Sequence, residues 1–228
     1  MTVDEARLDL QRRQRLGMVE AVWGEHKSAE QIVAILRSMR AAGELALVTR
    51  VNPAKAAAVM EALPTVQWHR DAGCLTDGVL PTPCQGVAVG VLSGGTSDRR
   101  VAAEAELSLQ VHGVATKMLL DVGVAGLHRL LAVLPSLQPL DVLIACAGME
   151  GALPTVLAGL VPQPVIGVPV SVGYGVSAGG RAALEGMLAS CAPGLMVVNI
   201  DNGYGAAMAA LRILQGRAFN PERSGLKG

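Results

Sequence analysis

Five short stretches hold most of the residues able to do chemistry: SGGTSD (93–98), DVGVAGLHR (121–129), AGMEG (147–151), SVGYG (171–175) and NIDNGYG (199–205). Each mixes glycine with an acid, a hydroxyl, an amide or a tyrosine, and each follows an apolar run. Gly94, Gly95, Thr96, Ser97 and Asp98 open a helical stretch. Thr96 or Ser97 would cap that helix with no ligand present, and the same turn would also take a phosphate on its N–H groups. Its spacing is neither G-x-G-x-x-G nor G-x-x-x-x-G-K-[ST], which disfavours an ordinary dinucleotide or Walker site. Asp121 nonetheless stands where a ribose-binding acid would stand, which keeps a nicotinamide-dependent oxidoreductase as a rival.

The remaining candidates each carry a bland reading beside a chemical one. His128, one turn after Gly123-Val124-Ala125-Gly126, is an exposed helix residue or a proton carrier. Arg129 is solvated or a phosphate contact. Glu150, between Gly148-Met149 and Gly151, caps the next helix or moves protons in an apolar cleft. Tyr174, beside Ser171 and Gly173, and Tyr204, beside Asn202 and Gly203, are the two tyrosines of the chain. Two rings at one edge suit a planar ligand or a subunit contact. Cys74, Cys84, Cys146 and Cys191 show no C-x-x-C spacing and the four histidines are scattered, which speaks against a zinc site or a disulfide framework. Cys146 and Cys191 both read locally as core residues. A helix carboxyl end raises a thiol pKa, so a reactive Cys191 would need a nearby cation.

These loops need a frame that brings them together. From Gly86 onward, apolar runs at 86–92, 115–121, 141–147, 164–170 and 195–200 alternate with helix-like stretches, the pattern of a parallel sheet wound through crossover helices. All five loops then fall at the carboxyl edge of the strands, where such folds bind ligands. Pro154 fits the first turn of its helix, where no donor is needed. The first 85 residues differ: SAEQIVAILRSM and PAKAAAVMEAL have helical spacing, while ELALVTRV and TVQWHR suit short strands. The reading is a small α+β module over 1–85, LTDGVLPTPCQG as its linker, and an α/β domain over 86–228.

Composition narrows the classes of partner. Lysine plus arginine and aspartate plus glutamate stand at 19 each, so no net field draws the chain to nucleic acid or to a membrane surface. Residues 151–180 carry no charge, but Pro154, Pro162, Pro164 and Pro169 interrupt them, so they read as buried elements and not as a span. The charged amino terminus MTVDEARLDLQRRQR lacks a secretory pattern, which gives the expectation of a cytoplasmic protein. Apolar residues at 51% with aromatics at 2% imply an aliphatic core.

In this order and spacing, GGTSD, DVGVAGLHRLL, AGMEGALPTVLAGLV, SVGYG and SCAPGLMVVNIDNGYGAA closely resemble the LarB family, the carboxylase/hydrolases of nickel-pincer nucleotide cofactor biosynthesis. The likeness runs from about Asp9 to Leu214, with GMVEA departing from the family's usual Gly-Phe-Pro-Glu-Val. The sheet domain is similar to the phosphoribosylaminoimidazole carboxylases, whose fold is a flavodoxin-like three-layer α/β sheet with flanking helices. The resemblance implies nicotinic acid adenine dinucleotide as substrate, carbon dioxide or bicarbonate as co-substrate, and carboxylation at pyridinium carbon 5. It further implies cleavage of the phosphoanhydride, helped by magnesium whose protein ligands it does not assign, with Asp98, Asp121 and Asp201 available. It makes Cys191 the covalent nucleophile, against the local core reading, with Glu150 first and Asp98 and His128 behind it as the base. Ser97, Arg129, Asn199 and Asn202 become substrate contacts. A homo-octamer is implied as well. The rivals are a carboxyaminoimidazole ribonucleotide mutase and a nucleotide-binding module without catalysis.

Overall fold

In the computed structural model, which describes residues 8–218, the chain divides into two units, residues 1–82 with 110–113, and residues 83–109 with 114–228. The first unit contains α1 (Arg12–Leu16), β1 (Ala21–Trp23), α2 (Ala29–Ala41), β2 (Ala46–Thr49), α3 (Pro53–Ala62), β3 (Gln67–His69) and β4 (Cys74–Asp77). Its sheet runs β1-β2-β4-β3, with β1 and β2 parallel and the other pairings antiparallel. Ser28 starts α2 through a reciprocal cap: its Oγ accepts from Gln31 N at 3.2 Å, and Gln31 Oε1 accepts from Ser28 N at 2.9 Å. The face of α2 bearing Ile32, Ile35, Leu36 and Met39 is buried in the core that the sheet completes.

The stretch expected as a linker is corrected at its front. Leu75–Asp77 belongs to β4, a fully buried strand between β2 and β3. Its polar residues hid it, and partners in the fold explain why they are tolerated inside. Thr76 Oγ1 lies 2.8 Å from His69 Nε2, and Asp77 receives Arg40 Nε at 3.1 Å and Arg40 Nη2 at 2.9 Å. Replacing Asp77 with alanine is expected to cost about 1–2 kcal/mol, because the half-exposed Arg40 regains water when its acceptor goes. A denaturant midpoint unchanged from wild type would contradict this.

The second unit contains β5 (Ala88–Ser93), α4 (Arg99–Gln110), β6 (Ala115–Leu119), α5 (Leu127–Val133), β7 (Val142–Ala147), α6 (Ala152–Ala158), β8 (Val165–Pro169), α7 (Arg181–Leu188), β9 (Met196–Val197) and α8 (Gly203–Ala218). All five strands are parallel, in the order β6-β5-β7-β8-β9. This is the three-layer α/β arrangement expected from the alternating pattern. Central β7 is buried along its whole length, which its unbroken apolar run VLIACA requires. Leu130, Leu137, Leu153, Leu157 and Met187 pack the helices onto the sheet, with Pro154 in the first turn of α6 as expected.

The chain leaves β5 toward β6 and returns to β7 on the other side, so the connections diverge between β5 and β7. That divergence opens a crevice outside their carboxyl ends. Strand β9 pairs over Met196–Val197 only, shorter than the 195–200 run, because the backbone turns away toward a left-handed Asp201 at φ 54°. Among the described residues no helix is long and apolar enough to cross a membrane.

Candidate active site

The five strand exits are joined by one succession of hydrogen bonds. At the β6 exit, Asp121 N donates to Ser93 Oγ at 3.2 Å, and Val122 N to Ser93 O at 3.0 Å. At the β5 exit, Gly94 N donates to Cys146 O of β7 at 2.9 Å. Met149 N, at the β7 exit, donates to Val172 O after β8 at 3.1 Å. Ser171 N donates to Asp201 Oδ1 after β9 at 2.8 Å, and Asp201 N returns to Pro169 O at 2.8 Å. Asp121, Met149 and Asp201 all take left-handed backbone, φ 58°, 53° and 54°. Each such non-glycine residue costs about 1 kcal/mol or more, so the surrounding bonds must enforce the turns.

Asp98 stands at the centre of this edge, in the crevice between β5 and β7, and is only 5% exposed. Its Oδ2 accepts from Gly95 N at 2.8 Å, closing a tight turn over Thr96–Asp98. Burial pushes its carboxyl above the ordinary value of 3.8; the N–H groups of Gly95, Gly148 and Gly94 pull the other way, and the charge of Asp201 adds to the rise. A carboxylate so placed takes protons more readily than a surface acid. Beneath it the Cys146 thiol is fully buried on β7, and burial followed by the carboxylates Asp98, Glu104 and Asp201 pushes its pKa up. Cys146 is therefore an inert core thiol.

The glycines serve loop-to-loop packing as much as ligand approach. A Cβ on Gly123 would run into the Gly94 carbonyl, and one on Gly148 into the Val172 carbonyl. Thr96 and Ser97 are exposed at the rim. Val124–Gly126 form a short 3-10 turn leading into α5, Gly151 opens α6, and Gly203 opens α8. His128 is exposed on α5. Arg129 Nη1 meets Asp121 Oδ2 at 2.6 Å, an exposed pair worth at most about 1 kcal/mol and open to exchange for an anionic ligand. Glu150 is exposed beside the crevice, while Gly173 and a 78%-exposed Tyr174 form an outer rim.

Asn199 and Asn202 use their carboxamide oxygens locally, on Ile200 N and Gly205 N at 2.8 Å each, the second capping α8. Tyr204 N donates to Glu104 Oε1 at 3.0 Å, so its backbone ties α8 to α4.

α7 packs on the start of α6, where a Cβ on Gly186 would run into the Glu150 carbonyl and one on Gly151 into the Ala183 backbone. Cys191 lies beyond α7, in the turn that leads to β9. It is a free, exposed cysteine, not a core one. Ser190 steadies that turn, accepting from Ala192 N at 3.1 Å and sharing a 2.9 Å bond with Thr155 Oγ1.

Sequence reasoning passed over Ser93 and gave Asp201 no tethering role. An acid between an apolar run and a helix start was the one signal available for Asp201. For magnesium, no group of three or more His, Cys, Asp or Glu side chains suited to a metal is present among the described residues.

With the geometry in place, the likeness to known proteins becomes specific. Residues 1–78 match the family described as LarB/PurE-like N-terminal domain, and residues 88–222 match AIR carboxylase. An uncharacterized protein of Methanocaldococcus jannaschii is 37% identical over 221 residues, covering 91% of this chain and 83% of that protein. The N5-carboxyaminoimidazole ribonucleotide mutase of the same organism is 36% identical over 131 residues, covering 54% of this chain and 76% of the mutase. The mutase of Pyrococcus horikoshii is 32% identical over 139 residues, covering 55% and 71%. Both mutases thus match over little more than half of this chain, against nearly all of it for the first relative. With a LarB-type domain in front of a carboxylase sheet whose crevice is closed by a buried aspartate, the chain belongs to the AIR carboxylase family in its LarB form.

Proposed function

We propose that the protein carboxylates carbon 5 of the pyridinium ring of nicotinic acid adenine dinucleotide and cleaves its phosphoanhydride, giving pyridinium-3,5-biscarboxylic acid mononucleotide and AMP. The observation that carries this reading is an exposed Cys191 in a chain that pairs a LarB-type front domain with a carboxylase domain.

A pyridinium carbon is electron-poor and does not attack carbon dioxide. When the Cys191 thiolate adds to carbon 4, the S–C bond forms and the ring electrons move to nitrogen, leaving a dihydropyridine whose carbon 5 is an enamine nucleophile. Carbon 5 then bonds to carbon dioxide. Asp98, ionised and poised in the crevice, takes the proton from carbon 5, the C–S bond breaks, and the thiolate departs as aromaticity returns. Asp98 suits the base better than Glu150 or His128, because those two are exposed while Asp98 is buried under loop N–H groups. The rim of SGGTSD and Arg129 receives phosphate and ribose, and magnesium is expected to travel on the substrate's phosphates.

Cys191 is exposed while Asp98 is buried between β5 and β7, and in this reading a neighbouring copy presents the thiol to the crevice. The homo-octamer that the resemblance implies would supply one, and a location in the cytoplasm belongs to the same reading.

The mutase reaction is the second reading, favoured by the two mutases among the relatives. It needs neither the thiol nor the front domain. Incubation with nicotinic acid adenine dinucleotide, bicarbonate and magnesium is expected to release AMP together with a pyridine nucleotide heavier by one carboxyl group. Turnover of N5-carboxyaminoimidazole ribonucleotide with neither of those products would establish the mutase instead.

A further inference from the structure

We propose that Asp201 is a positioning residue: its carboxylate fixes the loop after β8 and, through Ser171, Val172 and Met149, holds the β7 exit against Asp98. Hydrogen bonds alternate with single steps along the chain. Asp201 Oδ1 accepts from Ser171 N at 2.8 Å, Val172 O accepts from Met149 N at 3.1 Å, and Gly148, next along the chain, gives its N–H to the Asp98 carboxylate. Asp201 is itself held by its N–H on Pro169 O at 2.8 Å, in a left-handed turn that no glycine provides.

An acid is the right residue here for two reasons. Aspartate is among the few non-glycine residues that enter the left-handed region readily, and an ionised acceptor makes a stronger bond to a backbone N–H than a neutral one. Without this tether the β8 loop would lose the bond that sets where Val172 presents its carbonyl. Met149 and Gly148 would then lose their register over Asp98.

The second effect of Asp201 is its charge. Titratable groups about Asp98 and the Cys146 thiol beneath it include Asp201 at the β9 exit and Glu104 on α4, whose Oε1 accepts from Tyr204 N. Among these Asp201 is the one whose charge raises Asp98. One side chain therefore helps to hold the base in place and adds, after burial, to the rise in the pH at which it ionises. This role in turnover rests on the function proposed for the crevice, whereas the tether itself does not.

Two variants separate the effects. Asp201→Asn keeps an oxygen acceptor and a left-handed turn but removes the charge; Asp201→Gly keeps the turn and removes the side chain. Amide hydrogen exchange on the full-length protein tests the tether. Asp201→Gly is expected to speed exchange at Ser171 and Met149 at least about tenfold, with a smaller increase in Asp201→Asn, whose neutral oxygen still accepts. Turnover of nicotinic acid adenine dinucleotide with bicarbonate tests the positioning. Asp201→Gly should lose about 10–100-fold in kcat with a smaller change in KM, while Asp201→Asn should keep most of kcat and shift the acid limb of its pH profile downward.

Unchanged exchange at Ser171 and Met149 in Asp201→Gly overturns the proposal. So does an Asp201→Asn enzyme whose acid limb stays where wild type has it. If wild type makes neither product, the substrate reading fails, and the exchange result alone still decides the tether.

Discussion

Replacing Cys191 with serine should reduce ring carboxylation at least about 1,000-fold, the scale of losing a covalent nucleophile. The fold should survive, since the side chain is exposed and such changes shift stability by about 0.5 kcal/mol or less. A serine hydroxyl is far less ionised than a thiol near neutral pH, so it cannot add to the ring at a useful rate. Mass spectrometry of wild type stopped during turnover should find a pyridine adduct on the peptide containing Cys191. The sharper outcome concerns which subunit the sulfur serves. If Cys191 acts on a neighbour's crevice, co-assembled Cys191→Ser and Asp98→Asn subunits should regain activity that neither has alone, because some crevices then meet an intact thiol beside an intact base. Full activity in Cys191→Ser would remove the thiol from the reaction. Inactive mixed assemblies would confine base and sulfur to one chain.

The parallel sheet was legible because its signal is long-range and redundant: five apolar runs, each followed by a glycine loop, leave few other ways to bury so many aliphatic residues. Strand β4 was not legible, since CLTD has no alternation and its buried Thr76 and Asp77 are tolerated only because His69 and Arg40 meet them across the fold. The same limit applied to the site. Asp98, Glu150 and His128 are alike in sequence as acids or bases in loops or at a helix start, but only Asp98 is closed over by its own turn and by the next strand's exit. Burial is a property of the assembled layers, so a local reading could not rank the three. Cys191 shows the converse. Its surroundings LASCAPG read as core, whereas the turn that follows α7 carries it outward. Motif order identified the family, and the assembled layers then showed which of its acids is buried.

Asp98→Asn should lower carboxylation by about 100–10,000-fold, the usual contribution of a positioned proton acceptor. Asparagine preserves the volume, and one oxygen still accepts from Gly95 N, so a folded but inactive enzyme is the expected product. The pH dependence carries a sign that a merely structural aspartate would not produce. Activity requires the ionised carboxylate, so the wild-type rate should fall as pH drops through a value raised above 3.8 by burial and by Asp201. Stability moves the other way. Because the folded value lies above the unfolded one, the stabilisation from protonated Asp98 is complete below 3.8 and disappears as pH rises through the folded value. Wild type should therefore gain thermal stability relative to Asp98→Asn on acidification across the same window in which it loses activity. Parallel melting curves and rate profiles for the two proteins test this directly. An acid limb at or below the ordinary aspartate range, or a stability difference flat across the window, would mean that Asp98 does not serve as the base of a desolvated crevice.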